Sequence, residues 1–413
     1  MTSSRERAAI VGVGLKAPGG LSPAELWDAL ILGRSSAELF DEPRLPEDAP
    51  VLVARVDGFD WRDYLPPVQA RRLDRSHQLA VGAAHDAIDL LRGSLPDPAR
   101  CAVVCGVGFG GAATYEMQHA NLLERGLHAM SPLTIPMIMP SGAAAVLSIR
   151  FGFRGPSLTV STACASGTTA IGEAVKMLRR HDADLVLAGG TDSMLTYNAL
   201  AAFLRLDAMT RAVDQPQFAS RPFDVDRDGF LMGEGAGFVV LERLGDAEAA
   251  GHDVLGLVAG YGSCTDAHHL VAPPEDGEGA RRCMQLALDD AGVPPEAVNH
   301  INAHGTSTPL NDLAESRAIS AIYPNGSPPV TAVKGTTGHM IGGSGAVEAI
   351  MTLWALRLNI APPIAGLRNV DPLIDVDVVD GEPRKLADGY GLSNSFGFGG
   401  ANAALLLAAR DLD

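Results

Sequence analysis

The chain is poor in aromatic side chains, in basic residues and in cysteines. Aromatic residues make up 5% of its 413 residues, whereas glycine occurs 46 times. A core built mainly from small aliphatic residues suits closely packed helices and tight backbone turns. Lysine and arginine together number 32 against 49 aspartates and glutamates, which gives a net charge of −17. This deficit excludes the broad positive surface that nucleic-acid binding requires, but it is compatible with a local basic dock for an acidic partner.

The sparse cysteines and the short apolar runs exclude two further classes of protein. The cysteines are Cys101, Cys105, Cys164, Cys264 and Cys283, and none belongs to a pair of CxxC motifs. Neither a disulfide framework nor a structural zinc site is therefore expected. No apolar run reaches the ~18–20 residues that a membrane span needs, and the opening MTSSRERAAIVGVG lacks a signal-peptide pattern. We expect a cytoplasmic protein that has no contact with membranes.

Strand-like and helix-like segments alternate along the whole chain. Apolar runs that end in small residues predict strands at 8–14, 101–107, 157–163 and 183–190. Helical spacing predicts helices at 76–92, 165–180, 276–292, 310–323 and 344–358. A second half begins near residue 254, where VLGLVAGYGS resembles the opening AIVGVGL. This alternation predicts α/β layers, and residues 210–230 are expected to pack as an ordered loop.

Cys164 lies between an apolar strand and a helix, in the segment VSTACASGTT. The positive end of a helix dipole lowers the pKa of a cysteine at its N-terminus. A thiolate is well suited to thioester exchange because one sulfur replaces another. The alternative is a buried, inert cysteine, since free cysteine is among the most buried residue types.

Two histidines occur in loops rich in glycine and threonine. His304 stands in NAHGTSTPLND, and His339 stands in KGTTGHMIGGSGAVE, five residues after Lys334. Two neutral Nε2–H donors beside a thiolate could bind a thioester carbonyl oxygen and stabilise an enolate. Each histidine alone could equally be a satisfied core or loop residue. No metal is expected, because no carboxylate or second ligand lies at i+3 or i+4 from either histidine.

Two glycine strings invite a nucleotide-binding interpretation that the details reject. GVGFGG covers residues 106–111 and GFGG covers residues 397–400. GVGFGG spells G-x-G-x-x-G but has no acidic residue about 20 positions after Gly111, GFGG does not fit the rule, and the chain has no G-K-[ST] motif. We expect the second string to provide a flexible backbone that can move the bulky side chain of Phe398.

Five segments together resemble the signatures of a known family. They are TACASG, SRPFDVDRDGFLMGEGAG (220–237), NAHGTSTPLND, VKGTTGHMIGGSGAVE and SNSFGFGGANA. In this order and spacing, over essentially the whole chain, they resemble elongating β-ketoacyl–acyl carrier protein synthases. The resemblance implies the thiolase fold, a five-layered αβαβα core. It also implies two halves related by a pseudo-twofold axis, here 1–253 and 254–413.

The resemblance assigns catalytic roles to individual residues. Cys164 corresponds to the acyl-accepting nucleophile, and His304 and His339 correspond to the pair that drives decarboxylation of the malonyl thioester. Lys334 corresponds to the active-site lysine, and Glu348 corresponds to the glutamate that pairs with it. The implied reaction is ping-pong, with acyl transfer to the cysteine followed by malonyl binding, loss of CO2 and carbon–carbon bond formation.

The resemblance also assigns residues that contact the substrate. Phe398 corresponds to the gatekeeper, whose backbone N–H would form an oxyanion hole with that of Cys164, and Gly399 is expected beside it in the substrate-binding loop. Thr306 and Thr308 correspond to threonines that bind the phosphopantetheine arm. That arm arrives on the acyl carrier protein, so no free cofactor is implied.

Neighbouring classes of the superfamily differ from this chain at single positions. Degradative thiolases carry a second cysteine in the C-terminal glycine loop, where this chain has Phe398. Initiating synthases use Cys-His-Asn, whereas His339 takes the third place here. Chain-length factors lack the cysteine that this chain retains as Cys164. The alternative function is therefore a non-catalytic or decarboxylase-only partner subunit of a ketosynthase heterodimer.

Departures from the family pattern concern the acyl pocket and the carrier-protein dock. Phe109 occupies the position that lines the pocket floor at the dimer interface, where a ring could shorten the pocket or simply pack in the core. Arg71 and Arg72 match basic residues that face the carrier protein, or form a solvated helix face. Asp207 stands where an arginine is frequent, two residues after Arg205, and Val271 replaces a hydroxyl residue. These changes indicate a dedicated carrier protein and leave open a fatty-acid or a polyketide pathway, with a homodimer or a chain-length-factor heterodimer.

Overall fold

The computed structural model describes residues 7–42, 44–45, 50–91 and 94–409. The strands are β1 Ala8–Lys16, β2 Ala37–Leu39, β3 Leu52–Ala54, β4 Cys101–Gly106, β5 Ser157–Val160, β6 Leu185–Ser193, β7 Met232–Arg243, β8 Gly256–Thr265, β9 Val298–Asn302, β10 Val330–Thr331, β11 Ile360–Ala361, β12 Arg384–Lys385, β13 Tyr390–Gly397 and β14 Ala401–Ala408. The α-helices are α1 Pro23–Ile31, α2 Pro67–Ala70, α3 Arg75–Asp89, α4 Ala112–Arg125, α5 Thr134–Ile138, α6 Gly142–Phe151, α7 Ser166–Arg179, α8 Tyr197–Arg205, α9 Leu244–Ala250, α10 Glu278–Ala291, α11 Pro309–Ile322, α12 Lys334–Thr337 and α13 Ser344–Leu358.

The large sheet repeats one strand pattern twice. Its order is β10-β9-β13-β14-β8-β1-β7-β6-β4-β5, and β1 and β8 meet in the middle as an antiparallel pair. Outward from this pair, each half has two antiparallel pairings followed by two parallel ones. The predicted boundary near residue 254 lies in the connection between α9 and β8. The repeated pattern is the pseudo-twofold relation that the family resemblance implied.

Helices pack on the sheet in layers. α7 and α13 contact strands of both halves and form the middle helical layer, whose side chains belong to the central core cluster. α3 and α6 cover the first half, and α10 and α11 cover the second half, each over a separate apolar cluster. α13 is buried along nearly its whole length, as expected of a helix enclosed by two sheet faces. The five-layered αβαβα arrangement of the thiolase fold is confirmed.

The predicted elements are present, with one boundary that matters for the site. The strand predicted over 157–163 ends at Val160, and the next regular element is a 3₁₀ turn over Ala163–Ala165. Ala163 has a φ of 49°, which no strand residue adopts. The run of apolar and small residues therefore extends beyond the point where the strand ends and the backbone turns.

The region 210–230 packs as an ordered loop, as predicted, with a single 3₁₀ turn over Pro216–Phe218. Its Arg221 N–H donates to the Ser307 side chain at 3.0 Å, and Gly229 N–H donates to the Ser307 carbonyl at 3.1 Å. The loop therefore braces the segment that follows His304. Among the described residues, no helix combines the length and the apolar character that would let it cross a bilayer.

Candidate active site

Cys164 lies in the sharp turn between β5 and α7. The Ser166 hydroxyl stabilises this turn, because it accepts the Thr162 N–H at 3.0 Å and donates to the Ala163 carbonyl at 2.6 Å. The left-handed backbone of Ala163 stores strain in the residue before the thiol. The turn directs the Cys164 side chain toward the cavity at the carboxyl end of the strands, where α/β folds place their sites.

The expected lowering of the Cys164 pKa is wrong in direction. Burial raises the pKa of the thiol to about 11, and the Asp192 carboxylate adds to this, whereas the charge of Lys334 and the backbone N–H of Phe398 oppose it. The lysine charge and the backbone N–H groups therefore do not compensate for the loss of water around the sulfur. At neutral pH the group is a thiol with a small thiolate fraction.

His304 follows β9 and is positioned through its backbone and its Nδ1 atom. The Glu315 carboxylate on α11 accepts the N–H groups of His304 and Gly305, both at 2.9 Å. The Lys334 ammonium donates to the His304 carbonyl at 2.7 Å and approaches Nδ1 at 3.2 Å. Because an ammonium can only donate, Nδ1 is the acceptor and the ring proton lies on Nε2.

His339 is positioned by a different set of partners. It lies in the loop after α12 and pairs with Met232 of β7 through an isolated bridge. Its Nδ1 accepts the Ile341 N–H at 3.2 Å and contacts the Ser344 hydroxyl at 3.1 Å. The proton again lies on Nε2, which has no hydrogen-bond partner among the described residues.

The thiol and the two imidazoles converge from three distant segments. One side-chain donor atom from each of Cys164, His304 and His339 lies within 4.8 Å of the other two. Burial and the Lys334 charge lower the pKa of both histidines well below the usual value, so both are neutral. The set therefore presents one sulfur and two neutral N–H donors to a common point.

The same three side chains are also of types that bind metals. Spacing along the sequence does not test this, because the three residues come from distant segments. A metal-ligating histidine usually donates its other ring N–H to an acceptor. Here Nδ1 of each histidine is itself an acceptor, from Lys334 in one case and from Ile341 in the other. Ligation through Nε2 would require both rings to exchange tautomers against these donors, so the chemistry of the cluster favours hydrogen-bond donation.

Lys334 and Glu348 form a buried ion pair beneath the histidines. Their side chains are 1% and 0% exposed, and Nζ lies 2.5 Å from Oε1. With His304 Nδ1 and the His304 carbonyl, this contact uses all three N–H donors of the ammonium. The pair therefore fixes the orientation of His304 from the start of α12 and the first turns of α13.

Thr306 and Thr308 line the same cavity. Their hydroxyls are 2.8 Å apart, and Thr308 also caps α11 by accepting the Asn311 N–H. Ser307 between them has a φ of 68° and points away into the 210–230 loop. The turn thus places two hydroxyls on the cavity wall beside His304.

Phe398 closes the mouth of the cavity within the glycine string. Its ring is 36% exposed and lies 6.4 Å from that of Phe203. Gly399 has a φ of 82° with open space around its Cβ position, and its N–H donates to the Leu270 carbonyl. The Phe398 N–H donates a hydrogen bond to the Cys164 sulfur, so this backbone donor lies directly beside the thiol.

The cavity that contains these groups has a volume of about 510 Å³ and is largely apolar. Phe109, Phe203, Ile341 and Phe398 line it together with Val271 and Cys164. In the single chain 52% of the surface of Phe109 is exposed, so the alternative of simple core packing does not apply there. The remaining face of its ring contributes to the cavity wall.

The predicted docking residues lie at the surface. Arg71 and Arg72 are exposed just after α2. Arg205 ends α8, and Asp207 follows with a left-handed φ of 56° and a 2.8 Å ion pair to Arg211. Asp207 and Val271 belong to the cavity lining, so both departures from the family pattern lie at the tunnel.

The sequence interpretation missed three residues that position the site. Glu315 binds the backbone of His304, Ser344 binds Nδ1 of His339, and Asp192 binds backbone N–H groups of two loops. Burial raises the pKa of Glu315 to about 7 and that of Asp192 to about 6. An acidic residue on the buried face of a predicted helix was the only available signal for Glu315.

Comparison with protein families gives two adjoining matches. Residues 5–247 match the model described as the N-terminal domain of β-ketoacyl synthase, and residues 255–368 match its C-terminal domain. The chain is 37% identical over 408 residues to 3-oxoacyl-[acyl-carrier-protein] synthase 2 of Staphylococcus aureus, with 98% of each chain covered. It is 39% identical over 406 residues to the enzyme of the same name from Synechocystis, with 97% of each covered.

Solved structures of similar proteins superpose over almost the whole chain. The ishigamide ketosynthase/chain length factor matches with a TM-score of 0.90 and 33% identity, covering 99% of this chain and 100% of that one. A type II polyketide ketosynthase bound to a hexaketide, in complex with its acyl-carrier protein, matches with a TM-score of 0.91 and 27% identity, covering 98% and 100%.

Proposed function

Because the chain belongs to the β-ketoacyl synthase family, we propose that its Cys164, His304 and His339 perform the decarboxylative condensation that makes it a β-ketoacyl-[acyl-carrier-protein] synthase. The observation that carries this assignment is the convergence of the Cys164 sulfur and one ring nitrogen of each of His304 and His339 within 4.8 Å of one another. An acyl chain on the sulfur would then lie beside a malonyl thioester whose carbonyl oxygen faces both donors.

In the first half-reaction Cys164 attacks the carbonyl carbon of an acyl thioester. The oxyanion that forms accepts hydrogen bonds from the backbone N–H groups of Cys164 and Phe398. The C–S bond to the carrier's phosphopantetheine then breaks, and the departing thiolate takes up the proton that the Cys164 thiol lost. No imidazole acts as a base here, because both Nδ1 atoms are engaged and both Nε2 atoms already carry protons.

In the second half-reaction the malonyl thioester loses CO2. The electron pair of the breaking carbon–carbon bond moves into the thioester carbonyl, and the resulting enolate oxygen is stabilised by His304 and His339. The enolate carbon attacks the acyl–Cys164 carbonyl, and the Cys164 thiolate leaves and is reprotonated. Neutral histidines suit this arrangement, since a protonated Nδ1 could no longer accept the hydrogen bonds from Lys334 and from the Ile341 N–H.

Ketosynthases of this kind receive their substrates on the phosphopantetheine arm of a carrier protein and need no free cofactor. In this chain the paired hydroxyls of Thr306 and Thr308 are the proposed contacts of that arm. Phe398 and Gly399 would move to admit this arm. Gly399 has a positive φ, and the conformational freedom of glycine would allow the backbone to change there.

The carrier protein is proposed to be specific to this enzyme's own pathway. Asp207 places an acid at the tunnel mouth, and Val271 replaces a hydrogen-bonding side chain with an apolar one. An acidic partner would therefore bind through the exposed Arg71 and Arg72 and avoid the Asp207 side of the mouth. Whether the chain acts in a fatty-acid or a polyketide pathway would follow from which carrier protein binds to this charge pattern.

The chain is proposed to act as a dimer through the β5 edge of its sheet. At the other end of the sheet, the β10 residue Val330 pairs with Asp377 and Val379, whereas β5 has no partner on its outer side among the described residues. Apolar side chains of the adjoining α4–α6 region are exposed, among them Leu123 at 72% and Ile149 at 82%. Such a surface indicates a protein partner, either a second copy or a chain-length factor.

The test is condensation by the purified chain with candidate carrier proteins. Acyl- and malonyl-loaded carriers are mixed with enzyme, and mass spectrometry identifies the β-ketoacyl product and the acyl–Cys164 peptide. Arg71→Glu with Arg72→Glu should raise KM for carrier-bound substrate about tenfold or more and leave small thioester mimics unaffected. An equal loss for both kinds of substrate would show that the two arginines are structural.

A further inference from the structure

Asp192, at the C-terminal end of β6, is a fully buried carboxylate that binds two loops at once. Oδ2 accepts the N–H of Gly108 at 2.7 Å and that of Gly342 at 2.8 Å. Oδ1 accepts the N–H groups of Phe109 and Gly110 at 3.2 and 3.4 Å. Among the described residues no lysine or arginine pairs with it, so four backbone dipoles stabilise its charge.

The two loops have different tasks in the proposed reaction. The first carries Phe109, which lines the acyl cavity. The second carries Ile341, which lines the same cavity, has a strained φ of 49°, and donates its N–H to His339 Nδ1. A shift of the second loop would therefore move both the cavity wall and the partner that orients His339.

The glycines on both loops make these contacts possible. A Cβ atom at Gly108 would lie 2.8 Å from Asp192 Oδ2, and one at Gly342 would lie 2.5 Å from it. Neither distance is tolerated between a carbon and a carboxylate oxygen. The string GVGFGG thus provides the close backbone approach to an internal carboxylate.

We propose that Asp192 is a positioning residue that joins the acyl-chain wall to the His339 loop. Through it, the cavity shape that selects the acyl chain and the geometry that decarboxylates malonyl depend on one side chain. This inference rests on the proposed function, since it assigns Asp192 to selectivity and orientation within that reaction.

The main variant is Asp192→Asn, which keeps the shape and replaces one acceptor oxygen with a donor. Two of the four N–H groups then face an NH2 group. They are either those of Gly108 and Gly342, which breaks the link between the two loops, or those of Phe109 and Gly110, which releases the Phe109 loop. The preference for the best acyl chain length in Cys164 acylation should fall about tenfold, and kcat for malonyl decarboxylation should fall about tenfold with little change in KM.

A second readout separates positioning from general loss of structure. The ionised Asp192 raises the pKa of Cys164, so its neutralisation should shift the pH midpoint of Cys164 alkylation downward. Lys334, His304 and His339 also face the thiol and are unchanged in this variant. Asp192→Glu keeps the charge and adds one methylene, so it should alter the chain-length profile and leave the alkylation midpoint near that of the wild type.

The matched control is Asp224→Asn. Asp224 is also fully buried and accepts three backbone N–H groups, from Asp226, Arg368 and Asn369, but it does not line the cavity. It should lower the melting temperature without changing the chain-length profile or the alkylation midpoint. If Asp192→Asn does not fold, Asp192→Glu alone decides the question through the chain-length profile.

Two results would overturn the inference. One is an unchanged chain-length profile and kcat in folded Asp192→Asn or Asp192→Glu protein. The other is a loss that is uniform across chain lengths and equal to that of Asp224→Asn. A wild-type chain that fails to condense acyl and malonyl thioesters contradicts the proposed function instead, and is distinguished by measuring the wild type first.

Discussion

His304 and His339 are buried, and the Nδ1 side of each imidazole ring is fully hydrogen-bonded. Nδ1 of each histidine is occupied by a donor, which leaves the ring proton on Nε2. Such a site costs little reorganisation when charge develops on a substrate oxygen, because its donors already point at the position of that oxygen. The nucleophile and the enolate-stabilising groups are therefore separable by mutation.

Replacement of Cys164 should separate the two half-reactions. Cys164→Ala should abolish condensation, since no other group at this point can carry the acyl chain, and some malonyl decarboxylation should remain. Cys164→Gln should raise decarboxylation above that of the wild type, because the side-chain amide mimics the acyl-enzyme carbonyl. CO2 release and β-ketoacyl product are measured together. Condensation by Cys164→Ala would refute the nucleophile assignment, and background decarboxylation by Cys164→Gln would refute the histidine roles.

The reactivity of Cys164 should depend steeply on pH. Its pKa of about 11 means that the thiolate fraction, and with it the rate of alkylation, should rise about tenfold per pH unit between pH 6 and 10. Cys264 provides an internal control, because a hydrogen bond from Cys283 lowers its pKa to about 7 and its rate should level off above neutrality. Peptide mass spectrometry after iodoacetamide treatment resolves the two sites. A Cys164 rate that levels off near pH 7 would contradict the dominance of burial.

The predictability of the site follows from the kind of contact that each residue makes. Cys164, His304, His339, Lys334 and Glu348 could be identified from motifs, because side-chain chemistry restricts them to few residue types. Asp192 and Glu315 could not, since they bind backbone N–H groups, which every residue except proline carries, and Ser344 could not, since only the fold brings its hydroxyl to Nδ1 of His339. The Cys164 pKa was mispredicted for a related reason: the sequence shows the helix N-terminus but does not show how completely the fold removes water from the sulfur.

At the scale of elements, the Lys334–Glu348 pair joins the loop after β9 to α12 and α13. Removing one partner leaves an uncompensated buried charge, which typically costs about 3–5 kcal/mol. Lys334→Met should therefore lower the melting temperature strongly and reduce decarboxylation. The double variant Lys334→Met with Glu348→Gln should regain most of the stability but not the decarboxylation, because His304 still lacks its Nδ1 donor. Recovery of both would show that the lysine has only a structural role.

The loop that carries Phe109 should influence which acyl chains fit. If the ring caps the cavity, Phe109→Ala should admit roughly three to four more methylenes, each worth about 0.8 kcal/mol of acyl binding. The rate of Cys164 acylation by longer primers, relative to that by shorter ones, should rise about tenfold or more. Because the residue is 52% exposed in the single chain, the loss of stability should be smaller than for a fully buried phenylalanine unless a partner covers it. Rates of Cys164 acylation across a series of chain lengths test this, and an unchanged profile would contradict it.

Element types were predictable to the extent that apolar periodicity distinguishes them. The buried strands β1, β4 and β6 and the helices α3, α7 and α10 follow directly from their patterns. The end of β5 was not predictable, because residues 161–163 are small and compatible with either conformation, and only packing of the Cys164 turn decides between them. The layered thiolase arrangement came from the family resemblance alone, since periodicity contains no information about which helices lie between the two sheet halves.

At the scale of the whole molecule, the pseudo-symmetric sheet has two dissimilar ends. Residues 376–379 cover β10, whereas no strand among the described residues pairs with the outer side of β5, and apolar side chains of α4, α5 and α6 are exposed. A long-lived interface generally buries about 1,600 Å² in total, and an open sheet edge flanked by exposed leucine and isoleucine side chains is suited to supply it. The half-exposed ring of Phe109 belongs to the same segment of the chain, so assembly and acyl-chain length are expected to be linked.

A charge on the β5 edge should therefore dissociate the assembly. Leu158→Lys places an ammonium on a strand residue that is 46% exposed, and lysine on an edge strand opposes pairing with another strand. The molecular mass measured by light scattering should fall from twice 43.0 kDa to that of one chain. Leu373→Lys is the matched control, since Leu373 is 67% exposed outside this region, and it should stay dimeric. A Leu158→Lys protein that remains dimeric would show that the interface lies elsewhere. The wild-type chain could instead be monomeric and inactive until a second ketosynthase-like subunit is added. That result would establish the heterodimer, because the β5 edge would then pair with a different chain and not with a second copy of this one.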